Sequence, residues 1–328
     1  MKLIITIDTE EDNWDRYSTT ENPVENIKQI PRLQKLFDEF EVKPTYLVTY
    51  PVATSKGSIE ILKKILEEGK GEIGMHCHPW NTPPFEEEIN EFNSMLCNLP
   101  ERLVHKKLST LHETICKNFG IAPVSFRAGR FGFGPAVARS LCLLGYQVDT
   151  SVTPFVSWED YQGPNFSEFN PELFNIFFNH QTTTDEKNSL LEVPVTIGFT
   201  QDNFKRSIFM MKTLDNKIAR KFLLPGLFCR LGLLNRIWLS PEMSDADSMI
   251  KLAEQMHKNN YPCLNMTFHS TSLLAGLSKF IHKDKENDFF NNIRKFLMFC
   301  SDKDWNSQTL TEFSENISSS ADLFSYNN

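Results

Sequence analysis

Seven short runs of β-forming residues recur along the chain with helix-like stretches between most of them, and this alternation constrains the fold more than any other feature. The runs are Leu3 to Ile7, Thr45 to Tyr50, Glu72 to His78, Val124 to Arg127, Gln147 to Asp149, Leu190 to Phe199 and Pro262 to His269. Apolar residues at three- and four-residue spacing predict helices over Val24 to Phe40, Ile59 to Glu68, Glu101 to Asn118, Pro135 to Leu144 and Asp245 to Lys258. Gly69, Gly120 and Gly145 stand where three of these should stop. Strand and helix in alternation predict an α/β fold with a parallel sheet. So many strands favour closure into a TIM-like (β/α) barrel over an open doubly wound sheet.

A chain of 328 residues fits one such domain with additions. The barrel is expected over 1–313, with an insertion at about 200–242 and a polar, frayed tail over 314–328. A second irregular stretch, Pro154 to Lys187, reads as a long loop near the functional site. The net charge of −8 argues against a nucleic-acid partner, which would need a basic stripe. Seven widely spaced cysteines without a Cys-x-x-Cys pair read as reduced thiols, and the chain opens with no export signal, so a cytoplasmic location is expected. The longest apolar stretch, Phe222 to Leu234, is interrupted by Pro225 and Arg230 and is too short to cross a bilayer.

Ionisable residues cluster at the carboxyl ends of the predicted strands. Asp8 and Glu10 follow the first, whereas His76 and His78 end the third, Arg127 the fourth, Asp149 the fifth and His269 the seventh. In a barrel those ends converge on one face, where catalytic groups are found. His76 and His78 are two apart on a strand, so both imidazoles point to the same side and suit one metal ion, with Glu10 or Asp8 as an anionic third ligand. Zn²⁺ matches a nitrogen-and-carboxylate set, although other divalent ions would also bind. Asp8, ending a buried strand, needs a cationic partner, and Arg127 is the candidate. Asp12 reads as part of a solvated acidic loop, and Glu11 either as that or as part of the site. Gly129-Arg130-Phe131-Gly132 has the wrong spacing for a dinucleotide fingerprint, which excludes a Rossmann reading.

Taken in order, Thr6-Ile7-Asp8-Thr9, Met75-His76-Cys77-His78-Pro79-Trp80, Phe126-Arg127-Ala128-Gly129-Arg130, Gly145-Tyr146-Gln147-Val148-Asp149 and Thr267-Phe268-His269 resemble the motifs of the polysaccharide deacetylase superfamily, also called the NodB-homology family. The resemblance covers roughly residues 1–150 and 262–270. It implies a metal-dependent hydrolase on a distorted barrel, with Asp8 as base, Arg127 orienting it and His269 as acid. The family's second aspartate falls on Thr9, which has no carboxylate, so metal binding passes to Glu10 with His76 and His78. The His-x-His-Pro-Trp spacing resembles a divergent branch.

On this resemblance the chain removes an acetyl group from an N-acetylated sugar of a surface polysaccharide, a glycolipid or a precursor. Trp80, Asp149 and Arg130 are expected to contact the carbohydrate, and Phe131 either stacks on a sugar or packs in the core. Two other readings remain open: an allantoinase-like hydrolase of another carbon–nitrogen bond, and a glycan-binding protein without catalysis. Lys217, Arg220, Lys221, Arg230, Arg236 and Trp238 suit either a peripheral contact with an anionic membrane through 217–238 or a flap docked on the barrel.

Overall fold

The computed structural model describes residues 1–177, 189–201, 203–214, 234–274, 276–277, 281 and 286–319. Ten strands lie among them: β1 (Lys2–Thr9), β2 (Thr45–Val48), β3 (Glu72–Cys77), β4 (Ser125–Ala128), β5 (Val148–Asp149), β6 (Phe174–Phe177), β7 (Ser189–Glu192), β8 (Ile197–Phe199), β9 (Arg236–Trp238) and β10 (Cys263–His269). Eight form one sheet in the order β10-β1-β2-β3-β4-β5-β7-β6, parallel throughout except for the edge pair β6/β7. The sheet curls into a distorted TIM-like barrel.

The gap between its two ends is bridged by single hydrogen bonds in place of a ladder. Thr196 N–H donates to Asn265 O at 3.0 Å, Leu239 N–H to Thr196 O at 2.9 Å, and Thr267 N–H to Leu239 O at 3.1 Å. The predicted sixth strand is therefore two, β7 and β8, parted around Pro194, which has no N–H to give a ladder. Two short strands, β6 and β9, were not anticipated. β9 pairs antiparallel with β8, and its Trp238 packs on Phe131 and Trp158. That end of the insertion is thus docked on the barrel, whereas Lys217, Arg220, Lys221 and Arg230 lie outside the described residues.

The helices are α1 (Ile30–Asp38), α2 (Tyr50–Thr54), α3 (Lys56–Glu67), α4 (Glu101–Phe119), α5 (Pro135–Leu143), α6 (Phe204–Leu214), α7 (Ala246–Lys258), α8 (Glu286–Asp302) and α9 (Leu310–Ser319). The predicted helix over Val24 to Phe40 begins as a 3₁₀ turn, Glu25–Gln29, and becomes α-helical only around Pro31, whose fixed φ suits a first turn. α4 ends on Gly120 at φ +76°, a left-handed position where a side chain would be strained. The helix α9 corrects the tail expected from residue 314. Ser314 is buried within it, and the helix runs to Ser319.

Along β1 the interior of the barrel changes character in three steps. Ile4, with Val148, Leu191 and Cys263, packs against Leu310 and Phe313 of α9, which closes the amino-terminal end. Two residues on, Thr6 joins a polar layer with Arg127 and Asn265. Asp8 and Glu10 follow at the carboxyl end. Alternation along one strand thus carries the chain from an apolar plug to a charged site.

Candidate metal centre and its surroundings

Register places the strand ends side by side: Asp8 pairs with His269 across β1/β10, and His76 with Arg127 across β3/β4. Asp8 and Glu10 share one face of β1 and its extension. His76 and His78 do the same on β3, and the four converge. Glu10, His76 and His78 each offer a ligand atom within 4.8 Å of the others, and all three are buried.

The hydrogen bonds decide how these groups are protonated. His76 Nδ1 faces the Arg127 carbonyl oxygen at 3.0 Å, and His78 Nδ1 faces Glu11 Oε1 at 2.8 Å. Both partners accept only, so each Nδ1 carries the proton and each Nε2 is a bare lone pair. Those two Nε2 atoms stand 3.1 Å apart, with Glu10 Oε2 at 3.5 Å from His78 and 3.9 Å from His76. Three electron-rich atoms so close in a buried pocket repel one another unless a cation lies among them. Glu10 Oε1, buried without a hydrogen-bond partner, adds a fourth. The residues therefore fit a divalent metal ion.

Electrostatics agree. Burial, and after it Glu11, Asp8 and Glu242, push the Glu10 carboxyl well above its usual range, a cost that a bound cation would reverse. Burial also takes His76 down to about 3 against the upward pull of Asp8, which keeps it neutral and able to ligate. Glu11 goes the other way: burial raises it, but His78 outweighs burial and holds it ionised.

Asp8 sits beside this cluster. Arg127 Nη1 donates to Asp8 Oδ1 at 2.6 Å and to Thr267 Oγ1 at 2.7 Å, while Nη2 reaches Thr6 Oγ1 and Nε reaches Thr150 O. Burial raises the Asp8 carboxyl, yet Arg127, His76 and His269 outweigh it and leave it at about 2. Its free Oδ2 looks toward His76 Nε2 at 4.0 Å and His269 Nε2 at 3.8 Å. His269 is anchored behind by Glu242, which accepts from its Nδ1 at 2.9 Å and its backbone N–H at 3.0 Å. Burial alone would lower the His269 pKa, but Glu242 and Asp8 reverse that and raise it.

Several sequence assignments change. Asp149 shares register with Phe126 and Glu192, the face of β4 opposite Arg127. It is fully buried and accepts from Ser151 N–H and Oγ–H at 3.0 and 2.8 Å, so it cannot reach a sugar. Burial, and after it Asp149, pushes the Glu192 carboxyl well above its usual range, and the two carboxyls form one buried pair. Trp80 is 1% exposed, stacked on His78 at 4.2 Å and capped by Tyr17 at 5.0 Å, and so it braces that imidazole and offers no ring face to a sugar. Phe131 stacks on Trp158 at 5.4 Å.

Glu11 and Asp12 are not a solvated loop. Glu11 is fully buried against His78, Asn81 and Thr49, and Asp12 caps the turn at Glu25 and Asn26. Glu242 was missed. It lies at the end of what reads as an insertion, and nothing in its neighbours marks it. Arg130 stands at the rim, donating to Ser94 Oγ, with its guanidinium 5.2 Å from the Tyr17 ring.

No family model and no curated protein matches the sequence. Solved structures do. A protein from Mycobacterium smegmatis described as a polysaccharide deacetylase superposes with TM-score 0.57 at 14% identity, covering 97% of this chain and 90% of its own. The chain has the polysaccharide deacetylase fold. A second deacetylase-type structure, from Pseudomonas aeruginosa PAO1, gives TM-score 0.55 at 11% identity over 98% of this chain and 92% of its own. PuuE allantoinase shares the fold equally, with TM-score 0.57 at 11% identity and coverage of 98% and 92%. At such identities the shared property is the fold, and the reaction has to be argued from the site.

Proposed function

We propose that this protein is a metal-dependent hydrolase that removes an N-acetyl group from an N-acetylated sugar of a surface polysaccharide, a glycolipid or its precursor. One observation carries the reading: three groups able to hold a metal ion, a carboxylate that Arg127 keeps ionised and an imidazole whose pKa Glu242 and Asp8 raise meet at one strand-end cluster.

Glu10, His76 and His78 would hold the ion, with Zn²⁺ the match for two nitrogens and a carboxylate. Bound there, it would supply a polarised amide carbonyl and a water acidic enough for a weak base to deprotonate. Asp8 is that base. Arg127 occupies Oδ1 and aims Oδ2 into the site, so the carboxylate is fixed before the proton arrives. His269 is the acid: its Nδ1 is tied to Glu242, which leaves Nε2 to protonate the departing amine as the C–N bond breaks. Thr9, where the family has a second aspartate, turns its hydroxyl to the Ile7 carbonyl, and Glu10 takes its place.

Arg130 at the rim is the remaining sugar contact in this reading. A reducing, cytoplasmic setting belongs to it as well, supported by the free thiols of Cys77, Cys97, Cys116, Cys142, Cys263 and Cys300. No described helix is long and apolar enough to cross a membrane. The shared fold of allantoinase supports a second reading, hydrolysis of a small ureide by the same groups.

Elemental analysis of purified protein, followed by amine release from N-acetylated oligosaccharides and from ureides, tests both. Asp8→Asn should keep the metal and lose turnover, and His76→Ala should lose both. Stoichiometric metal without release from either substrate class would overturn the hydrolase reading.

A further inference from the structure

The helix α4 carries a lysine on its buried face. Leu103, Lys107 and Leu111 follow one another at four-residue spacing and are all buried, so the Lys107 ammonium is taken out of water where an apolar side chain would otherwise stand. Its Nζ donates to the backbone carbonyls of Pro79 at 2.9 Å, Thr82 at 2.7 Å and Pro84 at 2.8 Å, and it pairs with the Glu87 carboxylate at 2.7 Å. The Phe85 ring lies 5.3 Å from the same nitrogen. All five partners belong to one strap, residues 79–87, which leaves the end of β3 directly after His78.

That strap is also what braces His78. Trp80 stacks on its ring at 4.2 Å, and Asn81 Nδ2 donates to Glu11 Oε1 at 2.7 Å, the oxygen that accepts from His78 Nδ1 at 2.8 Å. Cys77, between the two histidines, turns its thiol to Thr82 Oγ1 at 3.8 Å. The carbonyls of Pro79 and Thr82 flank Trp80 and Asn81, so the ammonium fixes the backbone on either side of the two braces. Arg102 and Lys106 also tie α4 to the strap through Glu86, but those pairs face solvent and weigh little beside a buried charge with four polar partners. A leucine in place of Lys107 would pack with its neighbours at no cost in desolvated charge, yet it could not gather three carbonyl oxygens to one point. Resting on the metal-centre reading above, we infer that Lys107 is a positioning residue of that centre. Its ammonium sets the strap, the strap sets Trp80 and Asn81, and these hold the His78 imidazole with Nε2 turned toward Glu10 and His76.

Two measurements on the full-length protein read the site directly: Zn²⁺ affinity by chelator competition, and the visible absorption bands of the Co²⁺-loaded form. Lys107→Met keeps the length of the side chain and drops the ammonium, so it should weaken Zn²⁺ binding by on the order of tenfold and shift the Co²⁺ bands. Lys106→Met, at the neighbouring solvent-facing lysine, should leave both as in the parent. Leu108→Ala, a cavity in the apolar contacts of the same helix, should lower the unfolding temperature and leave affinity and bands in place. Asn81→Ala cuts the link nearer the imidazole and should weaken Zn²⁺ binding by a similar factor, and the double variant Lys107→Met/Asn81→Ala should lose little more than the larger single loss, because both act through one path. Should Lys107→Met fail to fold, Glu87→Gln takes its place: it removes the anion, keeps the three carbonyl bonds and should give a smaller loss of the same kind. Parent affinity and parent Co²⁺ bands in Lys107→Met, or in Glu87→Gln standing in for it, overturn the inference, and so does a fully additive double variant. Parent protein that takes up no divalent ion sinks the metal-centre reading itself, a separate result.

Discussion

Gly129 packs against His78, one of the three residues that could hold a metal ion, and replacing it with alanine is the sharpest test of how that imidazole is held. A Cβ added there would come 2.7 Å from the Cys77 carbonyl oxygen and nearer still to His78 Cδ2. Ordinary contacts between carbon atoms are about 3.5–4.0 Å, so the imidazole would have to retreat by about 1 Å. It has nowhere to go. Trp80 stacks on the ring at 4.2 Å, and Glu11 holds Nδ1 at 2.8 Å. Gly129 is not in the left-handed region, so the penalty is steric and not one of backbone strain.

Overpacking of this kind costs about 1–3 kcal/mol of stability. Metal–ligand distances tolerate about 0.2 Å, so a displacement five times larger should cost at least the 10–100-fold in affinity typical of a lost outer-shell contact. Chelator competition with Zn²⁺ reads the affinity, and thermal unfolding of the metal-free protein reads the strain. Gly57→Ala, with nothing within 4 Å of its new Cβ and lying in α3, is the control: it should leave the Zn²⁺ affinity unchanged and raise the unfolding temperature slightly, if at all. If Gly129→Ala binds Zn²⁺ as tightly as the parent, His78 is not positioned as described and the argument fails.

Glu242→Gln removes the charge that raises the His269 pKa, so the alkaline limb of the rate profile should move to lower pH. The sign for stability follows. The Glu242–His269 contribution is full below the unfolded histidine value of about 6.5 and is lost as pH rises through the raised folded value, so the gap between parent and variant should narrow on going alkaline. Asp8 runs opposite: with its folded pKa at about 2, its contribution is present above about 3.9 and disappears only as the solution is acidified toward pH 2. Acid unfolding curves of the parent and Asp8→Asn should therefore converge there. Glu11→Gln should weaken Zn²⁺ binding by about 10–100-fold in a chelator titration, because the His78 orientation and tautomer depend on that carboxylate. Glu192→Gln mimics the protonated partner of Asp149 and should stay within about 1 kcal/mol of the parent in denaturant titration, whereas an ionised Glu192 would make the change much larger.

The alternation of β-runs and amphipathic helices carried the barrel, because burial on both faces of a parallel strand writes a continuous apolar run and helix packing writes a 3.6-residue period. Polar residues at or just past the ends of those runs, Asp8, Glu10, His76, His78, Arg127 and His269, stood out as candidates for the same reason: they interrupt an apolar pattern where a barrel opens. The shortest elements were not. β6 and β9 span four and three residues, too few for a period to show, and β9 exists because β8 offers it an edge. α8 buries Phe289, Ile293, Phe296, Leu297 and Cys300 at helical spacing, so its pattern was there to be read.

What the sequence alone determined is therefore which residues could ligate and transfer protons, since donor chemistry and strand alternation are local. Only the tertiary structure decided which of them meet, and on which side of a strand each lies. Asp149 looked like a site residue from its place after a strand, and one step of alternation turned it into a buried pair with Glu192. Glu11 and Glu242, plain acidic residues in the chain, became the anchors of His78 and His269. A hydrogen-bond partner is a matter of distance in space, and sequence separations of 67 and 27 residues carry no trace of it.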